Sequence, residues 1–218
     1  MGYRVIHLIE AAHWISDLEY SQLVEQCEQV YSELAEDKNC SRQICLTMSD
    51  VVREIPSEDG WWPGEASFVR PRCTNVPETK ICFEEALNLA AEHMQQGVNW
   101  AIVLYTAGGI RRSKRTMLNK WKKNLWNRLL LLAVKNVHAD SKFLESYTEE
   151  CNVFSVGMSY DVIQTLKKYG EMNHSKELFH EMIRRTETEE QLVNGLGLTL
   201  EEWEEVWEIV RKTCGTLL

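Results

Sequence analysis

The chain switches repeatedly between two kinds of apolar pattern, and that alternation limits the folds open to it. "RVIHLIEA" (4–11), "RQICLTMS" (42–49), "VNWAIVLYTAGG" (98–109), "RLLLLAVKNV" (128–137) and "CNVFSVGM" (151–158) are apolar runs of strand length. Between the first two, Leu18, Leu23, Val24, Cys27, Val30, Tyr31 and Leu34 recur at helical spacing. That spacing predicts a helix over 16–36 with Ser16 or Asp17 as N-cap. Further helices are expected over 78–97, closed by Gly97, over 141–150, and from 160 onward. Strands alternating with helices imply a doubly wound α/β sheet of mostly parallel strands. "VVREI" (51–55) follows the second strand across a single turn residue, Asp50, so it adds one antiparallel edge strand. The expected division is an α/β domain over 1–170 and an acidic helical extension over 171–218.

The bulk numbers remove several function classes. The net charge of −9 is wrong for a generic binder of nucleic acid or acidic membrane. No apolar run approaches the roughly 18–20 residues of a membrane span, so no membrane partner is expected. The seven cysteines form no CxxC pair, and an odd count with irregular spacing fits reduced thiols in an intracellular protein, nuclear or cytoplasmic. The chain has no G-x-S-x-G, no P-loop and no G-x-G-x-x-G. "TAGGI" offers only adjacent glycines, and the six histidines are scattered. Neither a small-molecule substrate nor a cofactor is expected. A non-catalytic role follows, with an unrecognised hydrolase as the enzymatic alternative.

Three segments stand out as surfaces. Residues 56–77 hold all four prolines with Gly60 and Gly64, and read as a long irregular loop with Trp61 and Trp62 at its tip. Those tryptophans either fold back over the sheet edge or anchor a partner. Residues 111–128 carry Arg111, Arg112, Lys114, Arg115, Lys120, Lys122, Lys123 and Arg128 and no acid. Trp121 and Trp126 interleave with these cations, as in a patch for phosphate backbones or an acidic protein; Met117, Leu118, Trp121 and Leu125 equally describe an amphipathic helix. Finally, 177–208 holds ten glutamates against Arg184 and Arg185. There Leu200, Trp203, Val206, Trp207 and Val210 form one apolar stripe, with Trp203 and Trp207 as candidate anchors, and Thr199 with Glu202 resembles a capping box.

The order of elements over about residues 3–170 resembles the von Willebrand factor A domain, a Rossmann-like sheet with one short antiparallel edge strand. That family holds a metal with a D-x-S-x-S loop after the first strand, a Thr in a middle loop, and an Asp in a T-D-G turn after the fourth strand. The matching stretches here are "EAAHW" (10–14), "CTN" (73–75) and "TAGG" (106–109). Glu10 replaces the first Asp, Ala12 and Trp14 replace the serines, Ala107 replaces the second Asp, and Thr74 keeps its type. A hard cation needs several oxygens in near-octahedral geometry. The resemblance therefore implies a degenerate metal-ion-dependent adhesion site that holds no metal. A zinc site built from Glu10, His13 and Cys73 lacks ligand-pair spacing.

The family's intracellular members often serve as scaffolds in DNA repair, transcription or protein-turnover complexes. The resemblance thus implies an interaction subunit of a larger assembly, with other protein subunits as partners. A nucleic-acid-associated subunit using 111–128 is the alternative.

Overall fold

The computed structural model describes residues 2–12, 15–57, 62–64, 67–68, 83–94, 99–108, 129–136, 139, 144, 147–148, 152–185 and 199. Contacts divide the chain into two compact units, 1–173 and 174–218. The first unit carries β1 (Tyr3–Glu10), α1 (Asp17–Ala35), β2 (Cys40–Met48), β3 (Val52–Ile55), α2 (Phe83–His93), β4 (Asn99–Thr106), β5 (Leu129–Lys135) and β6 (Val153–Ser155). Helix α3 follows over Ser159–Arg185, and its side chains are described through Asn173.

The six strands lie in the order β3-β2-β1-β4-β5-β6. All neighbours are parallel except β2 and β3, which pair antiparallel with Met48 opposite Val52. This is the expected doubly wound sheet with one antiparallel edge. The central strands read as unbroken apolar runs because both faces are covered. Along β1 and β4 the side chains alternate between two cores. Val5, Ile9, Ala101, Val103 and Tyr105 face α1 and α3. Ile6, Leu8, Trp100, Ile102 and Leu104 face α2.

Helix α1 buries Tyr20, Leu23, Val24, Cys27, Val30, Tyr31 and Leu34, a stripe repeating every three or four residues. Its start is fixed by a full capping box. The Ser16 hydroxyl accepts from the Glu19 backbone N–H at 3.2 Å, and the Glu19 carboxylate accepts from the Ser16 backbone N–H at 2.9 Å. Helix α2 buries Phe83, Ala86, Leu87 and Ala90, and its His93 reaches Glu54 of β3 at 3.1 Å. At the opposite end of the strands, Gly170 of α3 lies so close to Tyr3 that a Cβ there would stand 2.5 Å from the ring. Expected strand 151–158 is shorter in the structure: β6 pairs with β5 only from Val153 to Ser155, and the chain turns at Gly157, whose φ is +95°.

Candidate functional site

In an open α/β sheet, ligands sit beyond the carboxyl ends of the strands where the order reverses. Here the reversal falls between β1 and β4, since β1 continues to β2 on one side and has β4 on the other. The register sets Ile9 against Tyr105, so Glu10 comes level with Thr106 and the turn beyond it.

Glu10 is fully buried. Its Oε2 accepts from the Thr106 hydroxyl at 2.5 Å, the Ala107 N–H at 2.9 Å and the Gly108 N–H at 3.3 Å. The Gly108 N–H is shared with the Thr106 hydroxyl oxygen at 3.0 Å. Two successive N–H groups, of Ala107 and Gly108, thus meet at one oxygen, and Gly108 then turns the chain with a φ of +105°, which only glycine adopts cheaply. Such a backbone concavity ordinarily receives an anion, and here the anion is the chain's own carboxylate. An ionised carboxylate only accepts hydrogen bonds, so three converging donors match it.

A second tie crosses the same end of the sheet. The Glu19 carboxylate accepts from Asn136 Nδ2 at 3.0 Å, and the Asn136 N–H donates to the Thr106 carbonyl at 3.0 Å. The first turn of α1 is thereby joined to the ends of β4 and β5. Ala11, Ala12, Ile15 and Ala107 fill the space around these ties and are all buried.

The donor set can be tested against a metal. Of the described positions that correspond to the family's ligands, Ala12 and Ala107 offer methyl groups, and Glu10 directs an oxygen at three hydrogens. A cation placed beside that oxygen would face the same N–H and O–H dipoles, which repel it. This set does not fit a hard divalent ion needing about six oxygens. Among the described residues no group of three or more His, Cys, Asp or Glu side chains gathers as metal ligands. Trp14 and Thr74, and with them His13 and Cys73, lie outside the described residues.

Deeper in the core facing α1 is a polar chain that sequence reasoning missed. His7 Nδ1 lies 3.0 Å from the Tyr105 hydroxyl, and Nε2 lies 3.0 Å from Gln43 Oε1. Gln43 Nε2 donates to the Tyr31 carbonyl at 2.9 Å. Because the Gln43 nitrogen is committed there, its oxygen faces His7; Nε2 therefore carries the proton, and Nδ1 accepts from Tyr105. Burial holds the imidazole down at about 4, against the partial opposition of the Gln43 hydrogen bond, so the ring is neutral at physiological pH. Burial pushes the Cys27 thiol well up, which makes it unreactive. The available signal was a histidine inside an otherwise apolar central strand.

Trp62 is half-buried. Its ring stacks on Phe68 with centroids 4.7 Å apart and meets Tyr31 edge-on at 5.4 Å. The Phe68 carbonyl accepts from the Tyr20 hydroxyl at 2.8 Å. Trp62 and Phe68 thus lie against α1, and Trp62 contributes to the covering of that helix. Trp61, Trp203, Trp207 and the whole basic segment 111–128, with Arg111, Arg112, Lys114, Arg115, Lys120, Lys122 and Lys123, lie outside the described residues. No described helix is long and apolar enough to cross a membrane.

Sheet order and the antiparallel edge define the class: the chain has a von Willebrand factor A-like α/β fold. Solved structures of similar shape include the Plasmodium vivax TRAP protein, determined manganese-loaded, with a TM-score of 0.56 at 11% identity over 76% of this chain and 73% of that one. BatB of Bacteroides thetaiotaomicron has a TM-score of 0.55 at 12% identity, over 78% of this chain and 100% of that one. Proximal thread matrix protein 1 of the mussel byssus has a TM-score of 0.52 at 10% identity, and the match spans 78% of this chain but only 47% of that protein. No protein-family model and no curated protein sequence matches the chain.

Proposed function

We propose that the chain is a non-catalytic, metal-independent protein-interaction module, an intracellular subunit of a larger assembly. The observation that carries this reading is the Glu10 carboxylate seated in the β4 turn. A von Willebrand A-like domain that recruits partners through a bound cation needs an oxygen-lined cleft at that point. This chain fills the point with its own anion and with Ala12 and Ala107. Such a domain keeps a rigid sheet and recognises partners through other surfaces. No described group pairs a nucleophile with a base there: the buried His7 has both ring nitrogens engaged inside the core.

The test is capture of partners from cell extract by the tagged full chain, in about 5 mM Mg²⁺ and in excess chelator, with melting followed in the same buffers. The expected result is the same partner set in both and an unchanged melting temperature. Loss of partners in chelator, with stabilisation by Mg²⁺ or Mn²⁺ that Glu10→Ala abolishes, overturns it. A nucleic-acid-associated subunit is the competing reading, and rests on the charge of 111–128. It predicts oligonucleotide binding that falls steeply between about 50 and about 200 mM salt and is lost on reversing Lys122 and Lys123.

A further inference from the structure

The stretches formed by α1 and the start of α3 have a one-sided composition. From Asp17 to Asp37 the chain carries seven acidic residues and no Lys or Arg; from Val156 to Leu166 it carries Asp161 and no cation. The two stretches lie side by side. The Gly157 N–H donates to Gln26 Oε1 at 2.6 Å, and the Ser159 hydroxyl donates to Gln29 Oε1 at 2.8 Å. The first cation along α3 is Lys167, two turns in, held by Glu33 at 2.7 Å.

Three of the large apolar side chains most open to water lie on these same stretches: Leu18 and Tyr160, each 70% exposed, and Met158, 40% exposed. The helical pattern explains why the core did not take them. Leu18 falls on the opposite side of α1 from Leu23, Val24 and Cys27, and Tyr160 precedes the buried pair Val162 and Ile163. Scattered exposed apolar residues need no explanation. Here they accompany the carboxylates of Glu25, Glu28 and Asp161 on two adjoining stretches whose own sequence holds no Lys or Arg. From Leu18 to Gln29, α1 rises about 16 Å at 1.5 Å per residue, the length of roughly three turns of a second helix.

We infer that this α1–α3 face docks a cationic amphipathic segment of another protein, with Leu18, Met158 and Tyr160 as apolar contacts and the carboxylates of Glu25 and Glu28 setting register. Charge complementarity chooses the occupant: an acidic or neutral segment would leave like charges or unpaired carboxylates against it, whereas Lys and Arg side chains pair with them and steer encounter. This inference rests on the reading of the chain as an interaction module and assigns that reading a surface.

The probe is a labelled synthetic peptide with the composition of residues 111–128, a cationic sequence with spaced apolar residues. It is titrated by fluorescence anisotropy against the full chain at about 50 and about 200 mM salt, the range over which charge pairing weakens most. The expected result is saturable binding that weakens with salt and falls at least tenfold in a Leu18→Ser/Tyr160→Ser variant and in Glu25→Lys/Glu28→Lys. Glu84→Lys/Glu85→Lys, on α2 across the sheet, should leave it unchanged. Circular dichroism checks that each variant is folded. Absence of binding, or equal loss in the α2 variant, overturns the inference. So does self-association of the full chain that the α1 variants abolish, because the occupant would then be a second copy. If partners are still captured in chelator while the peptide fails to bind, the module reading stands and only the surface is wrong.

Discussion

Replacing Glu10 by alanine tests the seat of this carboxylate in the β4 turn most directly. The side chain is fully buried, and its Oε2 is the acceptor for the Thr106 hydroxyl and the Ala107 N–H. The Gly108 N–H keeps a second acceptor in the Thr106 oxygen, so truncation leaves two donors stranded rather than three. Each buried donor left without a partner costs about 1–3 kcal/mol, giving about 4 kcal/mol for the pair. In a chain of this size each kcal/mol moves the melting temperature by about 2–4 °C, so Glu10→Ala should melt roughly 8–16 °C below wild type. Glu10→Gln keeps the shape and one accepting oxygen but directs an amide toward donors, and should fall between the two. The assay is reversible thermal unfolding at neutral pH followed by circular dichroism, in chelator. A Glu10→Ala melting point within about 2 °C of wild type would refute the argument that the turn depends on this carboxylate.

Three other outcomes follow from packing and protonation. His7 is held at about 4 in the fold against an ordinary value near 6.5, so the unfolded chain binds the extra proton between these limits. Its contribution is complete above pH 6.5 and is lost as pH falls toward 4, about 3 kcal/mol in all; urea midpoints across that window should drop less in His7→Gln than in wild type. Gly170→Ala puts a methyl group against the Tyr3 ring, which is fully buried and cannot swing aside, and should lower stability by about 1–3 kcal/mol in the same urea assay. Tyr147 is fully buried against Phe83, and its hydroxyl has no partner; Tyr147→Phe should therefore keep or raise stability, by up to about 1 kcal/mol, read as an unchanged or higher melting temperature.

Strand and helix order was legible because each element's period matches its environment. β1 and β4 are apolar on both sides because helices cover both faces, while α1 shows its buried stripe and its Ser16–Glu19 cap in plain sequence. That Glu10, Ala12 and Ala107 stand where the resembling family carries its metal ligands could also be read from the chain. What Glu10 does was not: its three donors are 96 to 98 residues away and meet it only through the β1–β4 register. The Glu19–Asn136 tie spans 117 residues and was hidden for the same reason. Composition marked 56–77 as a loop with tryptophans, but the fit of Trp62 between Phe68 and Tyr31 depends on three-dimensional packing that no local pattern encodes. The His7 chain escaped because a histidine in an apolar run says nothing of which partners three other elements will bring to it.

The antiparallel strand β3 ends the sheet, and its four residues decide how two copies of the protein meet there. Val52 and Glu54 face the α2 side, while Arg53 and Ile55 face the α1 side. Two copies joining edge to edge about a two-fold axis keep their faces aligned, so residues that meet must share a face. The registers that satisfy this with most of the strand paired are centred either on Arg53 against Arg53 or on Glu54 against Glu54. Like charges directly opposite one another destabilise a ladder, and Glu54 is already engaged with His93. The edge that makes this sheet mixed therefore also resists pairing with the same edge of a second copy, using two adjacent charges in a strand too short to offer another register.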